Sequence, residues 1–311
     1  MKKQIGIIGT GSLGTALIYL LSQNNHQINI YDKNKQILNK CLNNPKIKKQ
    51  KNVFPTNTIL ETINNSEYLI PCLPSQAIDY FYDILKTNYC NQIIMSVSKG
   101  FYCNSQQTIS QKVSPWLKSK NFVVFSGPTF SNEILNDEPT SAIFATSNQT
   151  ISKLIFNIFK SKNFTPKLDS HVVETEFGGI MKNCYAITFG LLEHAHLGMN
   201  TKSLLLDKII SETKEFYKNT GLQWQQAYQM SFLGDLIATS YNTDSRNFQF
   251  GKQLRHNKKV TVEGEQNILP LLQIAKQTKT KLPILENTHQ TISNPLSFRY
   301  QILKLKQILL A

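Results

Sequence analysis

Apolar positions along this chain follow two different rhythms. In the first half they come as short runs that stop abruptly at small or polar residues. Residues 4–8 form one such run and pass directly into Gly9-Thr10-Gly11-Ser12-Leu13-Gly14. Thr15 to Leu21 then carries the pattern of a helix with small residues near its start, and Gln27-Ile28-Asn29-Ile30-Tyr31 alternates as a strand does. Strand, glycine turn, helix and strand within about thirty residues make a βαβ unit. Further strands are predicted at 68–73, 92–97 and 122–125. Each ends in a polar or Gly/Pro-rich loop: Pro74-Ser75, Ser98-Lys99-Gly100 and Ser126-Gly127-Pro128-Thr129. Beyond about residue 172 the apolar spacing lengthens to a helical period, predicting helices near 175–195, 201–219, 223–240 and 265–278. A last helix pair is broken at Asn294-Pro295.

The pattern predicts an α/β protein: an N-terminal Rossmann-type doubly wound sheet over 1–172 and a C-terminal all-helical domain over 173–311, with the active site between them. In open α/β sheets ligands collect beyond the carboxyl ends of the strands, where the glycine and polar loops fall. Composition narrows the class. With 311 residues, 41% of them hydrophobic, the chain can bury a large core. It contains no run of about 18 apolar residues, so no membrane span is expected. The start, Met1 to Ile8, has a basic-then-apolar order but breaks at Gly9 and reads as a strand rather than a leader. Cys41, Cys72, Cys90, Cys103 and Cys184 are odd in number and hold no CxxC pair. They read as reduced thiols of a cytoplasmic protein.

The net charge of +14 suggests anionic ligands. Its lysines are scattered, the densest cluster being 45–51, so no nucleic-acid partner is expected. Arginine is scarce: Arg246, Arg255 and Arg299 are the only three among 34 basic residues. An arginine inside Ser245-Arg246-Asn247 therefore suggests that a planar fork is needed, as for phosphate. Lys99, Lys182 and Lys202 likewise stand in segments rich in Gly, Ser or Asn.

Within the glycine loop, Gly9 permits the turn, Gly11 lets backbone approach a pyrophosphate and Gly14 lets helix and strand pack closely. The following helix offers free N–H groups to the phosphates. Asp32, 18 residues after Gly14, is placed to accept from a ribose and to repel an added phosphate, while Lys33 would attract one. The cofactor is NAD or NADP, with a lean to NAD. Lys182 follows Gly178-Gly179 on a predicted helix. A lysine desolvated near other cations has its pKa brought toward neutrality, which suits proton donation. Asp235, in Gly234-Asp235-Leu236, could orient it. The six histidines form no metal-ligand set, and no metal is assigned.

These segments, taken in order, resemble the bacterial NAD(P)-dependent glycerol-3-phosphate dehydrogenase family along almost the whole chain. The matching stretches are 9–17, 98–100, 126–130 with Glu133, 178–183, 200–202, 234–236, 245–247 with Gly251, and 262–264. The resemblance implies reduction of dihydroxyacetone phosphate, a small phosphorylated triose, to sn-glycerol 3-phosphate for phospholipid synthesis. It implies Lys182 as acid/base residue, with Asp235 and Lys99 beside it. Lys99, Gly127, Thr129, Lys182, Asp235, Ser245, Arg246 and Asn247 would then line the substrate. Ser12, Leu13, Lys33, Lys99, Ser131, Arg246 and Glu263 would join the glycine loop at the cofactor, and a homodimer is the candidate assembly. Three departures stand out. The stretch from Gly251 to Val262 is shorter than usual by about a helix, Asp207-Lys208-Ile209 replaces the family's Thr-Arg-Gly, and Glu265 takes an apolar position. Two rivals remain open on the residues alone: another two-domain dehydrogenase acting on a hydroxy or sugar acid, and a non-catalytic NAD-sensing or nucleic-acid-binding protein.

Overall fold

The computed structural model describes residues 2–102, 105–117, 119–253 and 262–311. Cys103, Arg255, His256 and most of the shortened 252–261 stretch lie outside the described residues. The chain divides into two units, one of residues 1–98 and 109–175, the other of residues 99–108 and 176–311.

The first unit is built on eight strands: β1 (Gln4–Ile8), β2 (Gln27–Tyr31), β3 (Val53–Pro55), β4 (Tyr68–Pro71), β5 (Ile93–Ser96), β6 (Phe122–Ser126), β7 (Thr140–Ala145) and β8 (Phe164–Asp169). Their order is β3-β2-β1-β4-β5-β6-β7-β8. Pairing is parallel except between β6 and β7, where Val124 faces Ala145. The chain runs outward from β1 to β3, then returns to β4 on the other side. That reversal is the switch point where a doubly wound sheet opens a crevice at its carboxyl edge. Ile5, Ile7, Ile28, Ile30 and Ile70 share one face of the central strands and are buried with α1 (Ser12–Ser22), while Gly6 and the buried Asn29 on the other face lie against Thr62 and Ser66.

The predicted strands at 4–8, 27–31, 68–73, 92–97 and 122–125 are present as β1, β2, β4, β5 and β6. β3, β7 and β8 are not among the predicted strands, although Ala142-Ile143-Phe144-Ala145 of β7 is a buried apolar run. β3 and β8 are the sheet's two edges, and Pro55 and Pro166 sit in them, where a missing N–H does least harm.

The second unit is helical. Helix α2 (Val172–His194) enters it and is buried along most of its length from Phe177 to Leu192. Around it come α3 (Met199–Asn219), α4 (Asp235–Tyr241), α5 (Arg246–Lys252), α6 (Glu263–Gln277), α7 (Pro283–Ser293) and α8 (Phe298–Leu310). A π-helical stretch, Tyr228–Gly234, runs directly into α4. Glycines set how closely these helices approach α2. A Cβ on Gly190 would lie 2.1 Å from the Phe248 carbonyl oxygen, and one on Gly251 would lie 2.1 Å from that of Ile187. A Cβ on Gly264 would come 2.3 Å from the Asn183 carbonyl oxygen. Backbone thus meets backbone where α5 and α6 touch α2, and no larger residue fits.

Candidate active site

In the first unit the residues at the carboxyl ends of β1 and β2 form one group. Gly9 has φ +95°, and a Cβ there would sit 2.4 Å from the Cys72 carbonyl oxygen. Gly14 packs on Gly9, whose carbonyl oxygen would lie 2.0 Å from a Cβ at 14. Around Gly11, by contrast, a Cβ would meet nothing within 4 Å. The loop is therefore tight against protein at Gly9 and Gly14 and open at Gly11. Helix α1 starts there with no side-chain cap and no acidic residue in its first turn. Its leading N–H groups and its positive dipole end are left to an anion. These features fit a dinucleotide pyrophosphate, with Ser12 exposed and Leu13 half-buried at the helix start.

Asp32 braces this loop. Its Oδ2 accepts from the Thr10 N–H at 2.7 Å and the Thr10 hydroxyl at 3.1 Å, and its Oδ1 accepts from the Asn34 N–H at 2.8 Å. Oδ2 is thus filled, while Oδ1 has acceptor capacity left, so a ribose hydroxyl can still be received there. Lys33 is exposed beside it. Beyond β6, Gly127 has φ +124°, the Thr129 hydroxyl donates to its carbonyl at 3.3 Å, and Ser131 opens the helix Ser131–Leu135.

The second unit brings Lys99, Lys182 and Asp235 together. Lys182 lies on α2 and is only 6% exposed. Its ammonium donates to Asp235 Oδ1 at 3.0 Å and to the Thr239 hydroxyl at 2.8 Å. The Thr239 hydroxyl in turn donates to Asp235 Oδ1 at 3.2 Å. Lys99 donates to the other oxygen, Asp235 Oδ2. One buried carboxylate, 2% exposed, therefore holds two ammonium groups, one on each oxygen. Burial, helped by the Lys99 charge, pushes Lys182 down to about 8 against the pull of Asp235. Burial alone would raise the Asp235 carboxyl, but Lys182 and Lys99 outweigh it and hold it below its usual range.

Thr239 carried no sequence motif. Its signal is its spacing, four residues after Asp235 and so one turn along the same helix face. Gly178 also has a clear local role. A Cβ there would lie 3.1 Å from the Ser231 hydroxyl oxygen and 3.3 Å from the Ser231 backbone. The glycine admits the π-helical stretch that delivers Asp235 to Lys182. π-Helical turns recur at functional sites because they re-aim the residue that follows.

The Ser245-Arg246-Asn247 triplet separates by role. Ser245 caps α5 by accepting from the Phe248 N–H at 3.3 Å. Arg246 is exposed at the start of α5. Asn247 is buried, donating to Asn183 Oδ1 at 2.9 Å and accepting from the Gly264 N–H at 3.0 Å. Both ends of its amide are thus engaged with the site's own framework. Glu263, half-buried, accepts from Asn183 Nδ2 at 3.4 Å. Burial raises its carboxyl, although Arg246, Lys182 and Lys99 all pull it down. Lys202 does not join Asp235. It pairs with Glu193 at 2.5 Å, where α2 ends and α3 begins. Among the described residues no group of three His, Cys, Asp or Glu could hold a metal ion, and no helix is long and apolar enough to cross a membrane.

Comparison with known proteins gives this arrangement its relatives. The family description "NAD-dependent glycerol-3-phosphate dehydrogenase N-terminus" matches residues 4–152, and the matching C-terminal description covers 171–302. A Glycerol-3-phosphate dehydrogenase [NAD(P)+] of Mycoplasma mobile is 30% identical, over 94% of this chain and 93% of its own. The chain belongs to the NAD-dependent glycerol-3-phosphate dehydrogenase family. As a member it is an NAD(P)-dependent oxidoreductase acting on a CH–OH group. The Fusobacterium nucleatum relative of the same name is 28% identical over 93% of this chain and 92% of its own. In fold, the dehydrogenase is similar to a crystal structure of glycerol-3-phosphate dehydrogenase from Coxiella burnetii. The TM-score is 0.88 at 20% identity, covering 98% of each chain.

Proposed function

We propose that the protein reduces dihydroxyacetone phosphate to sn-glycerol 3-phosphate, with Lys182 as the proton donor. The reading rests chiefly on one observation: a buried lysine bonded to a buried aspartate and a threonine, with a second lysine on the same aspartate. Bound at the glycine loop, the reduced coenzyme supplies a hydride equivalent. The rest falls to this chain's side chains. As the ketone oxygen gains negative charge it needs a proton, and the Lys182 ammonium gives one. A donor poised near neutrality does this best, because it is both charged and willing to release its proton. Asp235 fixes the direction of the ammonium, Thr239 fills its second donor position, and Lys99 adds positive potential where an oxyanion develops.

A phosphorylated substrate suits the local charge. Lys99, Lys182 and Arg246 carry three positive charges against Asp235 and Glu263. Arg246 is assigned to the phosphate, since its fork can take two oxygens at once. Phosphate binding far from the reacting carbon then orients the carbonyl. In the reverse direction the neutral amine of Lys182 accepts the alcohol proton. The Asp32 carboxylate supports a preference for NAD over NADP, and provision of the phospholipid backbone is the physiological role that goes with this product.

The test is an oxidation assay of NADH and NADPH with dihydroxyacetone phosphate, alongside carboxylated ketones of similar size. Turnover with the triose phosphate, faster with NADH, is expected. Turnover only with the carboxylated compounds would replace the substrate assignment, and strong preference for NADPH would overturn the coenzyme lean.

A further inference from the structure

Lys99 is not on a regular element. It follows Ser98, the last residue assigned to the first unit before residue 109, and begins the stretch 99–108 that belongs to the second. A lysine side chain is a flexible four-carbon stem, so its ammonium is only as well placed as the backbone beneath it. That backbone is gripped by Asn267, which is 4% exposed on α6. Asn267 Nδ2 donates to the Lys99 carbonyl oxygen at 2.9 Å, and its Oδ1 accepts from the Phe101 N–H at 3.2 Å. The amide thus spans Gly100, and a Cβ at 100 would come 3.3 Å from Asn267 Oδ1. A primary amide combines a donor and an acceptor in this way. A carboxylate has no donor for the carbonyl, and an aliphatic side chain has neither group.

The start of α6, one turn earlier, is tied to the reacting group. Gly264, one turn before Asn267, packs against the Asn183 carbonyl, and its N–H donates to Asn247 Oδ1. Asn183 is the neighbour of Lys182. One helical turn therefore fixes the frame of Lys182 and the frame of Lys99 together.

We propose that Asn267 is a positioning residue that holds the Lys99–Phe101 backbone so that the Lys99 ammonium stays on Asp235. This rests on the assignment of Lys99, Lys182 and Asp235 as the reacting group. Two ties further along the segment do not involve Asn267: the Phe101 ring lies edge-on to Phe177 at 5.8 Å, and Gln106 bonds Gln273 at 3.2 Å. Loss of Asn267 loosens the Lys99 end while these contacts keep the segment docked.

Asn267→Ala tests this with two readouts. Amide hydrogen exchange at Phe101 should accelerate by about tenfold or more, with core amides of α2 unchanged. In dihydroxyacetone phosphate reduction, kcat/KM should fall by up to about 10²-fold, the scale of a small misplacement. The same substitution made on Lys99→Met should cost less than about twofold more, because a residue acting through Lys99 has nothing left to position. The limb of the pH profile due to Lys182 should move upward, since the lowering charge of Lys99 becomes less well placed. If Asn267→Ala does not fold, Asn267→Asp serves instead, keeping size and the acceptor but losing the donor to Lys99. Its expected signature is the same loss of activity, absent again on Lys99→Met. Unchanged exchange and activity, or losses that multiply fully with Lys99→Met, would overturn the proposal. If the unaltered protein fails to reduce dihydroxyacetone phosphate, the substrate assignment falls, and exchange at Phe101 still decides whether Asn267 is the tether.

Discussion

Asp235→Asn removes one charge from the centre of the site and little else. In the native protein one oxygen takes Lys182 and Thr239 and the other takes Lys99. An asparagine retains one acceptor, so one of the two ammonium groups must face an N–H₂. At the 3.0 Å separation of Lys182 and Asp235, an effective dielectric near 20 gives an attraction of ~5 kcal/mol. The amide oxygen and entering water recover part of this, leaving a loss of ~3 kcal/mol, equivalent to ~2 pKa units. Lys182 already stands at about 8, so in the variant its limb should fall to ~6. On the proposed mechanism reduction needs the ammonium, so native kcat/KM should be flat below about 8 and drop tenfold per pH unit above it. In the variant at pH 7 only about a tenth of Lys182 is charged, which costs reduction ~10-fold through protonation alone. On the same mechanism oxidation of glycerol 3-phosphate uses the neutral amine and should be spared this part of the loss. The assay is kcat/KM in both directions from pH 5.5 to 9.5, with thermal melting in parallel, where removing one member of a buried pair should cost ~3–5 kcal/mol. A limb that stays near 8 while both directions fall equally would refute the electrostatic role of Asp235.

Three further outcomes are expected. Thr239→Val, which removes the hydroxyl between Lys182 and Asp235 without changing shape, should lower kcat by ~5–30-fold through a lost buried hydrogen bond of ~1–2 kcal/mol, and steady-state kinetics would show it; an unchanged kcat would mean the hydroxyl is incidental. Gly251→Ala drives a Cβ against the Ile187 carbonyl, so α5 must part from α2 at a cost of ~1–3 kcal/mol or more. Melting temperature and the KM for the triose phosphate should both worsen, and wild-type values would mean that the crossing yields easily. Arg246→Lys should raise the KM for dihydroxyacetone phosphate by ~10-fold with kcat little changed, because a single ammonium cannot copy the bidentate fork; an unchanged KM would remove Arg246 from the phosphate.

Much of this site is legible in sequence, though unevenly. Residues 4–8 and 27–31 read as strands because alternation and apolar runs are local properties, and the glycine loop between them is a local conformational need. β3 and β8 escape because an edge strand needs little apolar content and tolerates Pro55 and Pro166. Lys182 comes three residues after Gly178-Gly179 and Asp235 directly after Gly234, which marks both as unusual, but 53 positions separate them and nothing local shows that they meet. Asn247 reads as a phosphate donor from its neighbours, whereas its amide spans Asn183 and Gly264 in the framework. Gly178 shows the same gap between a local signal and its partner: sequence says that something comes close, and the fold supplies Ser231. Lys202 has the same kind of setting as Lys99 yet ends on Glu193, because its helix starts at the far end of α2. Such pairings are decided by which helices cross and where; for Asn247 the glycines at 190, 251 and 264 set how α5 and α6 meet α2.

The central claim is that the buried Lys182 ammonium gives its proton to the ketone. The pH dependence of dihydroxyacetone phosphate reduction, measured for the unaltered protein and for Lys182→Met, tests it most directly. The unaltered enzyme should hold its rate up to about 8 and lose it above, while Lys182→Met should keep its fold, lose ~10²–10⁴ in kcat and show no such limb. Lys182→Met turning over at close to the native rate, with the same limb near 8, would contradict the assignment.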